Sequence, residues 1–512
     1  MENKFIQSLE EQESIINTEN GATAYNTTLI RAYDLFALGG AYRSRADEDI
    51  IDLFRQAYNE DADVALKTLF YLRDVRGGQG ERHFFRVAMK WLCQTHTQVA
   101  IKLLKFIPFF GRYDDLWECS YGTDVFSVAI DIIWNTLQHD LLAYEIGEPV
   151  TLLAKWLPSE NASSKHTKEM AKVITEALKV TRKNYRKTLS KLRERIKVIE
   201  RLMSQNRWDE IKFEEIPSCA GMKYAAAFSR REMIKEQYRK FIESDDTKVH
   251  ADVLYPYDII RQIKLNEYWD RKTYKSHYSL DVDVDRDVIN KYWNNLPDYF
   301  NGKENSMLCI VDTSSSMECS GNLQPAPTDV ANGLAIYAAE HNKGEFANQF
   351  ITFSSNPHFV KFTEDMDVID KQLLIRSKGE VANTDLLRTF ELLRSIALEN
   401  DCADDLPESL VVISDMQIDC GSNFRSTKEA VTEMAKEREI WKSYGLKMPK
   451  LVYWNVDARS NIFLEDCGPD ISFVSGCSPI IFKSLLSGKT GLDVFKDMVI
   501  DNKRYADIKI YK

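Results

Sequence analysis

The stretch SMLCIVDTSSSM spans residues 306–317. Its first half is a short apolar run of the length expected of a strand buried on both faces, and it leads directly into an aspartate followed by hydroxyls. The same grammar repeats downstream: NQFITFS (348–354), ESLVVISD (408–415), KLVYWNV (450–456) and SFVS (472–475) read as buried strands, with HFVKF (358–362) as an antiparallel edge strand. Helical stretches fall between them near 327–342, 366–376, 385–398, 426–444 and 479–487. Strands alternating with helices predict a doubly wound α/β domain over residues 301–512, with a ligand site beyond the carboxyl ends of its strands.

Those strand ends carry hard oxygen donors. Asp312, Ser314 and Ser316 form D-x-S-x-S, ESLVVISD closes on Asp415, and an intervening loop supplies Asn383-Thr384-Asp385. Carboxylates and hydroxyls suit Mg²⁺ (or Mn²⁺), and the alternate spacing of Ser314 and Ser316 aims both hydroxyls at one point. So few protein ligands leave places in an octahedron for water or for a carboxylate supplied by a partner protein.

Upstream, residues 21–300 read as helices, preceded by a polar leader over residues 1–20. DEDIIDLFRQAYNE (47–60), ADVALKTLFYLRDV (62–75), ERHFFRVAMKWLCQ (81–94) and TQVAIKLLKFIPFF (97–110) place apolar residues three and four apart, and no alternating strand pattern competes up to about residue 270. A helix with a single apolar stripe needs neighbours on both sides. The expectation is a HEAT-like helical-repeat solenoid or ring, with degenerate repeats because no fixed period recurs. The fold class is therefore α + α/β.

Within the helical part, KVTRKNYRKTLSKLRERIKVIER (179–201) holds ten Lys or Arg against Glu194 and Glu200. Tyr185, Leu189, Leu192, Ile196, Ile199 and Met203 make one apolar stripe, while Lys183, Arg186, Lys187, Lys191, Arg193, Arg195, Lys197 and Arg201 occupy the other faces. Like charges four apart destabilise a helix by about 0.2–0.5 kcal/mol per pair, a cost that points to an anionic partner such as the phosphates of RNA. A second basic feature brackets Gly77-Gly78-Gln79-Gly80 with Arg73, Arg76 and Arg82. It is not a nucleotide-binding loop of Walker type, because the Lys-Ser/Thr after the last glycine is missing. It is either a close-packed interhelical turn or a loop that contacts phosphate. GRYDDLW (111–117) reads as a helix start with its aspartates near the positive end of the dipole.

The whole chain, 512 residues at net charge -11 with 44% hydrophobic and 28% charged residues, is globular and long enough for several cores, which excludes a uniformly basic coat and a disordered chain. The deficit is local: residues 1–300 carry 44 basic and 46 acidic side chains, residues 301–512 carry 23 and 32. Nine cysteines without a C-x-x-C pair argue against a disulfide framework and a structural zinc. The N-terminus has no apolar signal core and no run of 18 apolar residues occurs, so a cytoplasmic monomer without membrane contact is expected.

The oxygen donors resemble the metal-ion-dependent adhesion site of von Willebrand factor A domains. By that resemblance Asp312, Ser314, Ser316, Thr384 and Asp415 are the metal residues, the two serines as direct ligands and the others direct or through water. Asn383 stands where many members of that family have glycine. The order of helical repeats followed by an A domain resembles the Ro autoantigen (TROVE) family, and more closely Ro-like bacterial, phage and plant proteins known only as a domain of unknown function. The resemblance rests on LFALGGAYR (35–43), LFYLRDVRGGQGER (69–82), GRYDDLW (111–117), LLAKWLPSENAS (152–163), the segment 185–218 and VDTSSSM (311–317). It implies a ring of helical repeats, joined at its ends by the A domain, that binds misfolded and structured small RNA. Two functions follow as expectations: a non-enzymatic RNA-binding scaffold, and a metal-dependent protein-interaction module. Catalysis finds little support, since the eight histidines form no cluster with carboxylates and no G-x-S-x-G elbow is present.

Overall fold

In the computed structural model the described residues are 10, 12–270, 275–318, 325–353, 357–378, 384–418 and 432–510. Asn383, Cys319, Cys420 and the expected helix start at 426–431 lie outside them. Two short antiparallel pairs, β1 (Ile15–Asn17) with β2 (Thr23–Tyr25) and β3 (Leu265–Asp270) with β4 (Lys275–Leu280), belong to the first 300 residues. The remaining strands, β5 (Met307–Asp312), β6 (Gln349–Phe353), β7 (His358–Lys361), β8 (Ser409–Ser414), β9 (Lys450–Asn455) and β10 (Ile471–Ser475), form one six-stranded sheet in the order β10-β9-β8-β5-β6-β7.

Every residue of β5 and β10 is buried, as expected of strands covered on both faces. β5 pairs in parallel with β6 on one side and β8 on the other, β8–β9 and β9–β10 are also parallel, and β7 closes the far edge antiparallel to β6. The chain builds outward from β5 to β6 and β7, then crosses back to lay down β8, β9 and β10. Strand order therefore reverses between β5 and β8, and their carboxyl ends open a crevice there. Helix Pro327–His341 follows β5, packs on β5, β6 and β8, and is buried along nearly its whole length because the helical part covers its other side.

The helical part starts and finishes on this sheet. Helix Arg31–Gly39 lies on β10: the Phe473 N–H donates to the Tyr33 hydroxyl (2.8 Å), and the Gly40 N–H to Ser475 Oγ (3.0 Å). The chain then passes through pairwise-packed helices, among them Asp47–Glu60, Ala62–Arg73, His83–Thr95, Phe126–Glu145 and Arg182–Arg195. It returns through Pro256–Ile260, which packs on Pro327–His341, and Arg286–Trp293, which packs on Val368–Lys378. Backbone crosses backbone at both dockings. A Cβ on Gly40 would sit 2.7 Å from the Ser475 carbonyl oxygen, and one on Gly333 would sit 2.9 Å from the Tyr257 nitrogen. Side chains cannot relieve either contact, so both positions need glycine. The C-terminal segment folds back onto helix Ala62–Arg73, where Asp74 accepts from Arg504 and from the Tyr505 hydroxyl.

Three elements depart from the sequence expectation. TQVAIKLLKFIPFF breaks into Thr97–Leu103, a 3₁₀ turn and Ile107–Phe110, with Pro108 at the start of the last piece, where its missing N–H costs nothing. The basic segment is two helices, Arg182–Arg195 and Ile199–Ser204, separated where Lys197 takes φ 56°. Lys197 N–H bonds Glu194 O and Val198 N–H bonds Arg193 O, the closure that usually employs glycine at this position. Finally, β1 arises in the polar leader and β3–β4 in a stretch read as helix and polar loop. Both hairpins are short, and β3 is half-exposed or exposed throughout, so neither writes a hydrophobic alternation into the sequence.

Candidate metal centre and basic surface

Asp312 ends β5 and Asp415 follows β8, so parallel pairing of the two strands delivers both carboxylates to the same crevice. Each is 1% exposed. Asp312 is oriented by the Ser414 hydroxyl (2.5 Å) and the Ser314 N–H (2.9 Å), and Asp415 by the Gln417 N–H (3.2 Å). Ser314 Oγ and Ser316 Oγ are 2.9 Å apart, so the alternate spacing does aim both hydroxyls at one point. Thr384 is buried immediately before Asp385, the N-cap of helix Leu386–Glu399.

Burial, then the neighbouring Asp415, pushes the Asp312 carboxyl up to about 7, against the downward pull of Ser414 and Ser314. Asp415 is raised as well, chiefly by burial. Two buried carboxylates side by side resist ionising together unless a cation joins them. Asp415 Oδ2 is buried and makes no hydrogen bond, its ion-pair neighbour being the Arg459 guanidinium at 3.5 Å, and the buried hydroxyl of Thr313 makes none either. A carboxylate oxygen without a hydrogen bond, next to a second carboxylate and two facing hydroxyls, fits a hard divalent ion such as Mg²⁺, which commonly uses one or two carboxylates and keeps several waters. Among the described residues no group of three or more His, Cys, Asp or Glu gathers to hold a metal, so any centre here relies on hydroxyls beside its two carboxylates.

Arg459, which no motif singles out, forms part of the wall. Its Nη2 donates to the Ser316 carbonyl (2.5 Å) and lies 3.5 Å from Asp415 Oδ2, while Nε lies 3.5 Å from Asp457 Oδ2. The helical part holds this loop and the one after β8. Ala458 N–H bonds Ala41 O (3.0 Å), Ser44 Oγ bonds Asp457 (2.9 Å), and Thr18 Oγ1 bonds Ile418 O (2.7 Å).

The basic residues divide. On helix Arg182–Arg195, Tyr185, Leu189 and Leu192 are buried while Lys183, Arg186, Lys187 and Arg195 are exposed, as is Lys197 beyond its end. Lys183 and Lys187 have no acidic partner among the described residues; Arg186 stands 3.7 Å from Glu160, Lys197 is 2.7 Å from Glu215, and Lys191 pairs with Glu145. Arg201 is half-buried and bonds Ser190 O and Glu194. Arg193 turns inward and donates to Ala154 O, Leu157 O and Ser159 Oγ, so it anchors a loop instead of facing a ligand. Arg73 is likewise removed from the surface: it is 1% exposed, with its guanidinium on the fully buried Asp115 at 2.7 Å. Gln79 is buried with it and donates to the Tyr71 hydroxyl (2.7 Å), so the Gly-Gly-Gln-Gly segment packs between helices. Arg76 and Arg82 remain exposed at its rim.

Arg82 marks a second basic locus. Its residue surface is open, but its guanidinium lies close enough to the fold for desolvation, then Arg112 and Arg86, to lower its pKa, against Asp114 and Asp115. Arg112 stacks on Trp156, 3.8 Å from the ring centre, and Lys155 lies over the same ring at 5.5 Å. Arg112 is also paired with Asp114, and Arg261 lies 3.1 Å from Asp258; burial and Asp258 raise the thiol of Cys219, while Lys155, Arg261 and Arg112 pull it down. Arg112, Lys155 and Arg261 are far apart in sequence and carry no local motif, so only the folded chain brings them together.

Residues 18–110 and 136–303 match the family described as Domain of unknown function (DUF2828). The chain belongs to the DUF2828 family. The DUF2828 match covers the basic helix and the Arg82 turn. Residues 306–509, which contain the oxygen donors and Arg459, match a second one, Domain of unknown function (DUF7788). An uncharacterized protein of Acanthamoeba polyphaga mimivirus is 28% identical across 92% of this chain and 84% of its own length, so the pairing of the two parts recurs in that relative. No helix among the described residues is long and apolar enough to cross a membrane.

Proposed function

We propose that this DUF2828 chain is a non-enzymatic RNA-binding scaffold of Ro (TROVE) type, whose sheet domain is of von Willebrand factor A type and carries a Mg²⁺ (or Mn²⁺) adhesion site. The RNA is small and structured or misfolded, held through phosphates. The observation that carries the reading is the division of helix Arg182–Arg195 into a buried apolar stripe and an exposed cationic face on which Lys183 and Lys187 lack acidic partners. Mutual repulsion on that face is relieved by polyanion binding. The helical path that leaves β10 and returns to helix Pro327–His341 supports a ring closed by the A domain. Arg82, exposed at the rim of the glycine turn, and Lys155 supply a second set of phosphate contacts. In the metal site, Asp312, Ser314, Ser316, Thr384 and Asp415 would hold the ion, which when bound offers a Lewis-acidic position to an outside ligand.

A labelled RNA hairpin with a single-stranded tail, titrated by fluorescence anisotropy, tests this. About four neutralised phosphates give a log–log salt slope near -3, hence roughly a sixtyfold loss of affinity between 50 and 200 mM KCl. Absence of binding at 50 mM overturns the proposal. The second reading, a metal-dependent protein-assembly module, is favoured by the Asp415 oxygen that makes no hydrogen bond, which suits an ion whose shell a partner's carboxylate completes.

A further inference from the structure

Arg459 is placed to act on the proposed metal site without being one of its ligands. Its guanidinium donates to the Ser316 carbonyl and to Asp457, and forms an ion pair with Asp415 at 3.5 Å. Its own backbone carbonyl accepts from Arg45 Nη1 at 2.5 Å, and its neighbours are bonded to Ala41 and Ser44. The cation is therefore not a mobile surface arginine. It is built into the wall, and its loop is clamped by the helical part.

A divalent ion between Asp312 and Asp415 meets two negative charges, which would balance it. The fixed charge on Arg459, 3.5 Å from Asp415 Oδ2, weakens the pull of that carboxylate on the ion, while Asp457, 3.5 Å from Nε, holds the guanidinium in place and balances its charge. We propose that Arg459 sets the metal affinity of this site as a positioning residue: by holding its cation against Asp415 it lowers the site's affinity for a divalent ion. This rests on the metal reading above.

The test is a Mn²⁺ titration of the full chain followed by electron paramagnetic resonance, comparing the wild-type protein with Arg459→Gln, Arg459→Lys and Asp312→Asn, with folding checked by circular dichroism. Arg459→Gln is expected to bind Mn²⁺ about tenfold more tightly, the scale on which neighbours of metal ligands move metal affinity. Arg459→Lys, which keeps the charge, stays within about threefold of wild type, allowing for its different donor geometry. Equal or weaker binding by Arg459→Gln, in protein whose Mn²⁺ binding is lost in Asp312→Asn, overturns the role of Arg459 while leaving the metal site standing. Absence of binding that depends on Asp312 in every variant overturns both.

Discussion

Replacing Lys183, Arg186 and Lys187 together by Glu is expected to weaken RNA binding at 50 mM salt by at least about a hundredfold and to flatten the salt slope by about 2, the share of three phosphate contacts to single-stranded RNA. All three side chains are exposed in the first two turns of helix Arg182–Arg195, and the stripe that seats the helix, Tyr185, Leu189 and Leu192, is untouched. Acidic residues near a helix N-terminus favour the dipole, so the helix is retained and the loss reports on the ligand. Circular dichroism of the variant overlays that of the wild type. Unchanged affinity would remove this face from the RNA surface.

Asp312→Asn is expected to change how stability depends on pH. Burial and Asp415 raise the Asp312 carboxyl to about 7, above its unfolded value near 3.9. A group raised on folding favours the native state fully below its unfolded pKa, and that contribution is lost as pH rises through the folded pKa. Without divalent ions the wild-type protein therefore loses stability between about pH 4 and pH 7, on the order of 3 kcal/mol shared by the titrating pair. Asp312→Asn cannot ionise, so its melting temperature at pH 8 without divalent ions exceeds that of the wild type, and the slope between pH 5 and pH 8 is smaller. Millimolar Mg²⁺ reverses the order by raising the wild type alone. Parallel pH profiles for the two proteins would show that the pair carries no such penalty.

The sheet was largely legible because a strand covered on both faces must be apolar at nearly every position. MLCIVD and SLVVIS meet that demand, and the aspartates that end them follow from parallel register. Helices Asp47–Glu60 and Ala62–Arg73 were legible for the corresponding reason at a period of 3.6. What stayed hidden depends on partners remote in sequence. Arg73 reads like its neighbours Arg76 and Arg82 until the fold brings up Asp115, and Arg193 reads like Arg195 until the loop at 154–159 supplies carbonyls. The break at Lys197 was invisible because a lysine, not a glycine, takes the left-handed conformation there. Arg459 lies 44 residues past Asp415 with no motif around it, so its place in the metal wall is a product of β9 lying beside β8.

Ultraviolet crosslinking of the intact protein to a uniformly labelled RNA with a structured stem and a free 3′ end, followed by mass spectrometry of the linked peptides, addresses the RNA-scaffold reading most directly. The expected linked peptides come from helix Arg182–Arg195 and from the Arg82, Arg112 and Lys155 locus, and their yield falls as salt rises from 50 to 200 mM. RNA-linked peptides confined to residues 306–509, or none at 50 mM salt, would contradict it.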